Sequence, residues 1–304
     1  MARLIIAGAS GFLGTALTAL AHERGWDVTH LVRRAPRSAR EILWDPAAGK
    51  LHAPQLAGAD AIVCLSGAGI ADRPWTPGRQ REIIASRIET VTLLADAIAQ
   101  LPEADRPRVF ASASAVGFYG SRGNQILTED SPAGHGWLAE VCRAWEAAAL
   151  PVADLGVRTL QLRTGHLMDR ADGLLGVLLP LYRYRLGAKL GDGHQYFPSI
   201  WIKDHAAATL FALEHDSLSG PLNVVGPEPV PFEVWHETLQ DLLGRSSPLP
   251  LPTAALRAMG AMGEELLLAS QRVVPEKLTD AGFVFEAPTV RDILAAAIAG
   301  PYAT

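Results

Sequence analysis

The sequence is poor in cysteine, in charged residues and in long apolar runs, and each of these shortages argues against a class of protein. Only Cys64 and Cys142 occur in the 304 residues, which argues against a disulfide framework and favours ordinary thiols in a reducing compartment. Charged residues make up 19% of the chain and apolar residues 49%, a balance typical of a globular protein and not of a disordered one. The net charge of −5, without any basic stripe, argues against nucleic acid as a partner.

Membrane, secretion and metal-binding signals are also missing. No apolar stretch approaches the ~18 residues that a membrane span needs, and the early run "LIIAGASGFLG" is interrupted by glycines and has no cleavage-like site. No two histidines share metal-ligand spacing with a nearby acid or cysteine, so we expect no metal site. We therefore expect a soluble cytoplasmic protein, a monomer or a homodimer, whose partner is a small-molecule substrate and neither a membrane nor a nucleic acid.

Short apolar runs alternate with longer helical patterns up to residue 165, which predicts βαβ units and a parallel sheet. Strands are expected at residues 3–7, 27–34, 59–67, 108–116 and 157–165, and helices at residues 12–25, 79–101 and 137–156. Between the second and third of these strands, Pro36 and Pro46 argue against regular structure. After residue 165 glycine and proline become frequent, and the expected elements are shorter.

These patterns predict an α/β protein with a Rossmann-type doubly wound parallel sheet and a smaller C-terminal α/β substrate domain. Residues 1–165 would form the dinucleotide-binding domain, with later segments contributing to its sheet, and residues 166–304 would form mainly the substrate-binding part. Within a helix expected at residues 203–215, Asp204 lies at the helix start. Because a carboxylate at that place binds free backbone N–H groups, we expect Asp204 to cap this helix.

The segment "GASGFLG" places Gly8, Gly11 and Gly14 between the first predicted strand and the first predicted helix. In such a G-x-x-G-x-x-G turn the glycines permit a tight turn, close approach of the backbone to a pyrophosphate, and close packing of the helix on the strand. The helix N-terminus then offers free N–H groups and a positive dipole end to the anion. At this place in a βαβ unit, the pattern predicts a dinucleotide site.

The end of the second predicted strand indicates which dinucleotide is bound. In NAD-binding domains an acidic residue ~20 residues beyond the glycine loop accepts a hydrogen bond from the adenosine ribose. This chain has Arg33 and Arg34 in that place. A guanidinium cannot accept that hydrogen bond, but it pairs well with a phosphate dianion. The two arginines therefore predict NADP as the cofactor.

Several segments together resemble the extended short-chain dehydrogenases/reductases. They are "GASGFLG", "SASAVGFYG", "TEDSP", "LRTGHLM", "WIKDHAAATLFALE" and "GPLNVVGPEPVPFEVW". Four further segments resemble an atypical subgroup of this family: "SGAGIADRPWT", "SRIETVTLLADAI", "LAEVCRAWEAAA" and "EELLLASQRVVPEKLTDAGFVFE". That subgroup is the NAD-dependent epimerase/dehydratase-like "epimerase family protein" group, sometimes mislabelled as cell-division inhibitors. The resemblance covers essentially the whole chain.

The resemblance implies an NADP-binding Rossmann domain and a set of cofactor contacts. In and beside the glycine loop the implied contacts are Gly8, Ser10, Gly11, Phe12, Leu13 and Gly14, with Arg33 and the adjacent Arg34 at the adenosine ribose phosphate. Further along the chain they are Leu65 and Ser66 after the third strand, Glu82 and Arg87 on the following helix, and Leu167 near the nicotinamide. An ion pair is an equally good interpretation of Glu82.

The catalytic pair expected from this resemblance is absent. Extended reductases use a tyrosine followed four residues later by a lysine, whose charge lowers the pKa of the phenol so that it exchanges a proton during hydride transfer. None of the five tyrosines has a lysine at that distance. Aligning Glu146 with the acid that usually follows the motif places Leu138 and Cys142 at the tyrosine and lysine positions. Leucine cannot transfer a proton.

Three explanations of the missing pair stay open. Ser114, at the position of the family's catalytic serine or threonine, or Tyr119 in the next turn acts as acid or base, helped by a neighbour such as His135 or Glu140. Alternatively, Cys142 acts as nucleophile or acid, although a small packed residue is the simpler interpretation of this thiol. In the third explanation, the substrate takes its proton from water or a weak acid.

Three functions are consistent with these observations. The first is an NADP(H)-dependent oxidoreductase of the atypical extended class, which acts on an unidentified small molecule without the Tyr-x-x-x-Lys pair. The second is a non-catalytic NADP(H)-binding protein with a redox-sensing or regulatory role. The third is a nucleotide-sugar epimerase, which the name of the subgroup suggests but the absent phenolate argues against.

Overall fold

The apolar runs of the sequence form strands, and the longer amphipathic segments between them form helices. A computed structural model describes residues 1–247 and 249–300. The strands are β1 (Arg3–Ala7), β2 (Asp27–Val32), β3 (Glu41–Asp45), β4 (Lys50–Leu51), β5 (Ala61–Cys64), β6 (Val109–Ala115), β7 (Ile126–Leu127), β8 (Arg158–Thr164), β9 (His166–Met168), β10 (Ala188–Leu190), β11 (Ser199–Trp201), β12 (Gly220–Val224), β13 (Leu249–Leu251) and β14 (Arg272–Val273). The helices are α1 (Phe12–Glu23), α2 (Pro77–Ala99), α3 (Trp137–Asp154), α4 (Gly173–Arg183), α5 (Ile202–Glu214), α6 (Phe232–Leu243), α7 (Thr253–Arg257), α8 (Glu276–Asp280) and α9 (Val290–Ala299).

The main sheet has the strand order β12-β8-β6-β5-β1-β2-β3-β4. β1 pairs in parallel with β2 and with β5, β2 pairs in parallel with β3, and β5 with β6. β4 runs antiparallel to β3 at the edge. The strand order reverses next to β1, since β2 and β3 follow on one side of it and β5, β6 and β8 on the other. The predicted α/β class with a mostly parallel, doubly wound sheet is therefore confirmed.

The described chain divides into two compact units that alternate along the sequence. The first unit comprises Met1–Ser114, Val141–Leu162 and Thr209–Leu222, and the second comprises Ala115–Glu140, Arg163–Ala208 and the described residues from Asn223 on. The predicted division into residues 1–165 and 166–304 stays a prediction. Among the described residues, no helix combines the length and the apolar character that crossing a membrane requires.

The central strands of the first unit are apolar along their whole length because they lie in its core. Residues 4–7 of β1 are completely buried, as are residues 61–64 of β5, which is typical of strands covered by helices on both faces. Leu94 and Ile98 of α2 and Val152 of α3 belong to the same buried cluster as Ile62 and Phe110. Because this packing continues to the ends of the strands, the loops that follow them start from rigid positions.

The segment after β2 differs from the prediction. Regular structure was not expected between residues 35 and 52, but β3 and β4 occupy part of it. Pro36 precedes β3 and Pro46 follows it, so both prolines bound the strand and neither interrupts it. Ile42 and Trp44 are buried while Leu43 between them is exposed. Such alternation of buried and exposed residues is typical of a strand with one covered face. The sequence therefore contained a signal for β3 that outweighs the argument from the prolines.

Candidate functional site

The carboxyl ends of adjacent parallel strands in the first unit bring the predicted site residues to one edge of the sheet. Gly8 follows β1, Arg33 follows β2, Leu65 follows β5, and Ser114 lies near the end of β6. These four strands are neighbours in the order β6-β5-β1-β2. In doubly wound sheets, ligands bind at this edge, in the crevice where the strand order reverses. Here the reversal lies between β1 and β5.

At two positions of the glycine loop there is no room for a side-chain carbon. Gly8 has a φ of 84°, and a Cβ on it would lie 2.9 Å from the backbone nitrogen of Ser66. A Cβ on Gly14 would lie 2.2 Å from the carbonyl oxygen of Gly8. The N–H of Gly11 donates to that same oxygen over 3.0 Å, which closes the turn. The backbone of this loop is therefore held by close contacts that a side chain would destroy.

The first turn of α1 is open to an anion. Gly11 is the N-cap residue of α1, and no side chain caps the helix there. Ser10 is exposed, and Phe12 and Leu13 are half-buried. The free N–H groups and the positive end of the helix dipole make this place suitable for a phosphate group.

The two arginines after β2 have different environments. Arg34 forms a two-pronged ion pair with Glu41 of β3, with nitrogen–oxygen distances of 2.8 and 2.5 Å. The hydrogen bonds from Arg34 and from the backbone N–H of Arg37 lower the pKa of the Glu41 carboxyl to about 2. Arg33 is exposed and makes no hydrogen bond or ion pair within residues 1–247 and 249–300. One guanidinium of the pair is thus engaged by the protein, and the other is available to a ligand.

The loop after β5 lies against the glycine loop and against α2. The N–H of Leu65 donates to the carbonyl of Ala7 over 2.9 Å, and Leu65 and Ser66 are half-buried. Arg87 of α2 donates to the carbonyl of Ala68 over 3.1 Å, and its guanidinium lies 4.9 Å from the centre of the Trp145 ring on α3. Burial lowers the pKa of Arg87 to about 10, a value at which it still carries its charge at neutral pH.

Glu82, predicted as a cofactor contact or an ion-pair partner, is exposed and engaged by arginines of its own region. Arg79 lies 2.8 Å from the Glu82 carboxylate and Arg73 lies 3.5 Å from it. The hydrogen bond from Arg79 lowers the pKa of Glu82. A contact between Glu82 and the cofactor stays a prediction, and the observed geometry is that of an ion pair.

Ser114 has a partner that sequence reasoning did not assign to it. The hydroxyl of Ser114 donates to Oε1 of Glu146 on α3 over 2.7 Å. Ser114 is only 3% exposed, and Glu146 is half-buried. Glu146 served only to align the missing motif, and because 32 residues separate it from Ser114, no local pattern links the two. The spacing of Leu138, Cys142 and Glu146 at four-residue steps was the available signal, since such residues share one face of a helix.

Cys142, the second predicted catalytic candidate, lies in the interior of the first unit. Its side chain is buried, and it interacts electrostatically with the guanidinium of Arg87. Cys64 is also buried, and burial raises the pKa of its thiol to about 11. Neither thiol is presented to solvent as an exposed nucleophile would be.

Tyr119, the third predicted candidate, belongs to a buried hydrogen-bond network in the second unit. Its hydroxyl donates to Oδ1 of Asn223 over 2.6 Å and accepts from Nη1 of Arg163 over 3.0 Å. The guanidinium of Arg163 also lies over the ring of Phe118, 3.5 Å from its centre. Tyr119 is completely buried, and burial raises the pKa of its phenol to about 12. Formation of a phenolate is disfavoured here, and the geometry is that of a structural hydrogen bond.

The start of α3 is bound by an acidic residue from much later in the chain. The carboxylate of Glu265 accepts hydrogen bonds from the backbone N–H groups of Trp137 and Leu138 over 3.1 and 2.7 Å. Glu140, in the same first turn, and the nearby His135 are exposed. The sequence contained no signal for Glu265, because nothing local connects it to this helix.

Two further predicted residues lie in the second unit. Leu167 is half-buried in β9, where it pairs with Ile200 of β11. The prediction that Asp204 caps a helix is wrong, because α5 begins at Ile202 and its third residue is Asp204. The Asp204 carboxylate instead accepts hydrogen bonds of 2.9 Å from the backbone N–H groups of Glu286 and Ala287. Within the described residues, no group of three or more His, Cys, Asp or Glu side chains is arranged to hold a metal ion.

Comparison with known proteins identifies the family. A sequence profile described as the NAD dependent epimerase/dehydratase family matches residues 4–226. The chain belongs to this family. A second profile, described as a domain of unknown function (DUF1731), matches residues 251–297.

Relatives in this family match over almost their whole length. An epimerase family protein of Mycobacterium leprae is 37% identical over 97% of this chain and 95% of its own. Epimerase family protein SDR39U1 of Homo sapiens is also 37% identical, over 94% of this chain and 96% of its own. The crystal structure of human SDR39U1 (isoform 2) with NADPH has a TM-score of 0.87 at 33% identity, covering 97% of this chain and 98% of that one.

A second solved structure of similar identity is that of a protein named as a nucleoside-diphosphate sugar epimerase, from Corynebacterium glutamicum. It has a TM-score of 0.78 and 32% identity, and it covers 97% of this chain and 58% of that chain. This member of the epimerase/dehydratase family has the G-x-x-G-x-x-G loop between β1 and α1, but none of its tyrosines has a lysine four residues later.

Proposed function

We propose that this protein is an NADP(H)-dependent oxidoreductase that acts on a small molecule. The observation that carries the proposal is the juxtaposition of two features at neighbouring strand ends. After β1, the N-terminus of α1 has no side-chain cap, and neither Gly8 before it nor Gly14 in its first turn admits a side chain. After β2, Arg33 offers an exposed guanidinium that nothing else in the described chain engages. The NADPH in the crystal structure of the human relative supports the same cofactor.

Groups of the first unit would bind the pyrophosphate and the ribose phosphate of the dinucleotide. The N–H groups at the start of α1 would bind the pyrophosphate, because they are unsatisfied and lie at the positive end of the helix. Arg33 would pair with the phosphate on the adenosine ribose. Arg34 would contribute indirectly, since its ion pair neutralises Glu41, a carboxylate that would otherwise repel that phosphate.

The other predicted contacts complete the proposed path of the cofactor. Leu65 and Ser66 would border it where the β5 loop packs on the glycine loop, and Arg87 would add positive charge from α2. Leu167 stays a prediction for the nicotinamide end. When bound, the cofactor supplies or accepts a hydride, and a side chain or water supplies or accepts the accompanying proton.

Binding and turnover test the proposal separately. Calorimetric or fluorescence titration should show that the purified protein binds NADPH more tightly than NADH. In the presence of NADPH, a panel of carbonyl and enone compounds should then reveal at least one compound that is reduced, followed by loss of NADPH absorbance. Failure of the folded protein to bind NADPH would refute the proposal as a whole.

A second candidate is an NADP(H)-binding protein that catalyses nothing and has a redox-sensing or regulatory role. Leu138 and Cys142 at the positions of the expected pair favour it, as does the engagement of Tyr119 in a buried network. Tight NADPH binding with no turnover of any panel compound would support this candidate. Interconversion of nucleotide sugars would instead support an epimerase, the activity for which the Corynebacterium protein is named.

A further inference from the structure

Any hydride transfer at this site needs a proton donor or acceptor, and the expected tyrosine is missing. Among the three candidate side chains, Tyr119 is buried in a structural network and Cys142 is buried beside Arg87. Ser114 alone has its hydroxyl joined directly to a carboxylate, through the 2.7 Å hydrogen bond to Glu146. A lone serine is a poor acid or base near neutral pH, but a serine hydrogen-bonded to a carboxylate can pass a proton on.

The position of Glu146 on its helix strengthens this connection. Leu138, Cys142 and Glu146 follow each other at four-residue intervals on α3, so they form one row along the helix. The row therefore contains both positions of the missing pair and, one turn further on, a carboxylate.

We propose that Ser114 and Glu146 form a proton relay that takes the place of the missing tyrosine and lysine. This inference rests on the proposed oxidoreductase function. In the reducing direction, a hydride goes to the substrate carbon, the Ser114 hydroxyl gives its proton to the substrate oxygen, and the Glu146 carboxyl gives its proton to Oγ of Ser114. Solvent then protonates Glu146 again. In the oxidising direction every transfer is reversed, and the substrate hydroxyl proton ends on Glu146.

The surroundings of the pair suit this role. Ser114 is nearly inaccessible to water, which strengthens its hydrogen bond to the carboxylate. The Ser114 hydroxyl reaches Glu146 from β6. One turn back on α3 is Cys142, which interacts with Arg87 of α2, and the charge of Arg87 lies over the Trp145 ring next to Glu146. Ser114 would be the catalytic residue and Glu146 a positioning residue that also stores the proton.

Four variants distinguish the loss of proton transfer from a general loss of structure. Glu146→Gln keeps an oxygen that accepts the Ser114 hydrogen bond but cannot take up its proton. Ser114→Ala removes the bridge, and Ser114→Thr restores a hydroxyl. Asp154→Asn makes the same chemical change as Glu146→Gln on an exposed residue at the end of the same helix and serves as the matched control.

The first readout is the rate at which the protein reduces a panel compound with NADPH. We expect Glu146→Gln and Ser114→Ala to lower kcat about 100-fold or more, the usual contribution of a positioned acid or base, and to change KM and the NADPH Kd by less than about threefold. Ser114→Thr and Asp154→Asn should retain most of the activity. In the reducing direction kcat should fall as the pH rises and Glu146 loses the proton that it must donate, and this alkaline limb of the kcat–pH profile should be absent in Glu146→Gln, which a merely structural role would not cause.

Infrared spectroscopy gives a second readout that needs no substrate. The carboxyl band that disappears in Glu146→Gln should titrate at higher pH in the NADPH complex than in the NADP⁺ complex, because the oxidised nicotinamide carries a positive charge that favours the carboxylate.

The outcomes distinguish the two proposals. Absence of NADPH binding overturns the proposed function itself. A Glu146→Gln variant with wild-type kcat and pH profile overturns the relay alone. Cofactor binding without turnover, together with a Glu146 band that titrates identically in both complexes, overturns the relay and supports the non-catalytic candidate.

Discussion

The strand-end site of the first unit and the polar network of the second unit use their polar groups in opposite ways. At the strand ends, Arg33 is exposed and unengaged in the described chain, and the first turn of α1 has no side-chain cap. In the second unit, Tyr119 and Asn223 are completely buried and bind each other. Polar groups left open can bind a ligand, whereas buried and satisfied ones contribute to stability. The first region is thus suited to binding and chemistry, and the second to holding its own segments together.

Ser114 and Tyr119, five residues apart in the chain, show a second difference between the two regions, in the chemistry of their partners. The sequence makes both of them candidates for an acid or base, and both are buried and hydrogen-bonded. The partner of Ser114 is a carboxylate that can take up a proton, but the partners of Tyr119 are an amide oxygen and a guanidinium. Substitutions in the first region should therefore change binding or turnover, and those in the second should change stability.

Gly14→Ala should have the largest effect of the substitutions below. The new Cβ would lie 2.2 Å from the carbonyl oxygen of Gly8, so the loop must move. We expect NADPH affinity to fall by roughly 100-fold, the order of loss that follows from breaking hydrogen bonds to a charged group. Fluorescence titration measures this affinity, with folding checked by circular dichroism.

Gly25→Ala is the control for a glycine without such a contact. Nothing lies within 4 Å of a Cβ at Gly25, although its φ is 79°. We expect this variant to lose about 1 kcal/mol of stability and no NADPH affinity. Wild-type affinity in folded Gly14→Ala would contradict the placement of the pyrophosphate.

Arg33→Ala and Arg34→Ala should differ, because only Arg33 is unengaged. We expect Arg33→Ala to weaken NADPH binding by roughly 1–3 kcal/mol, the value of a charge-assisted hydrogen bond, and to leave NADH binding unchanged. Arg34→Ala should have a smaller effect, because it acts by leaving the Glu41 carboxylate without its partner.

The double variant Arg34→Ala/Glu41→Gln tests that explanation. Removing the charge of Glu41 should restore most of the affinity that Arg34→Ala loses. Titration calorimetry with NADPH and with NADH measures all of these variants. If Arg34→Ala costs as much as Arg33→Ala and the double variant restores nothing, both arginines contact the phosphate and the difference between them disappears.

Tyr119→Phe should change stability and leave cofactor binding alone. The variant deprives Asn223 of a donor and Arg163 of an acceptor inside the protein. We expect the free energy of unfolding to fall by about 1–2 kcal/mol, measured by chemical denaturation, with the NADPH Kd unchanged. Tyr184→Phe, on a residue that is 78% exposed, should change neither. A loss of turnover in Tyr119→Phe at unchanged stability would instead show that the Tyr119 hydroxyl takes part in the reaction.

The smallest expected effect is the response of the second unit to mild acid. Burial lowers the pKa of His205 to about 3, below its value of about 6.5 in an unfolded chain. The unfolded state therefore binds more protons as the pH falls below 6.5, and stability is lost. For this one histidine the expected loss between pH 7 and pH 6 is about 0.7 kcal/mol.

Substitution of His205 isolates this contribution. Denaturation at pH 7 and pH 6 should show a smaller difference for His205→Gln than for the wild type, while His52→Gln, on an exposed histidine, should behave like the wild type. His166, whose pKa burial lowers to about 4, would remain in the variant and retain part of the dependence. Equal pH dependence in His205→Gln and the wild type would mean that His205 is accessible to protons in the folded state.

The sequence by itself determined the features that depend on neighbours in the chain. The glycine loop between β1 and α1 follows from spacing, because the turn and the helix start are local structures. The apolar runs of β1, β5 and β6 follow from the same kind of local pattern. β3 was also encoded locally, in the alternation around Ile42 and Trp44, but the flanking prolines obscured it.

Only the tertiary structure decided which candidate groups are free and which are engaged. In the folded protein Arg34 pairs with Glu41, while Arg33 is not engaged by any described residue. Glu146 accepts a hydrogen bond from Ser114. Asp204 does not cap its helix but accepts hydrogen bonds from distant backbone N–H groups. Hydrogen bonds and burial between residues far apart in the chain depend on packing, and no local spacing encodes them. The sequence therefore specified which side chains are available for chemistry, and the packed fold selected their partners.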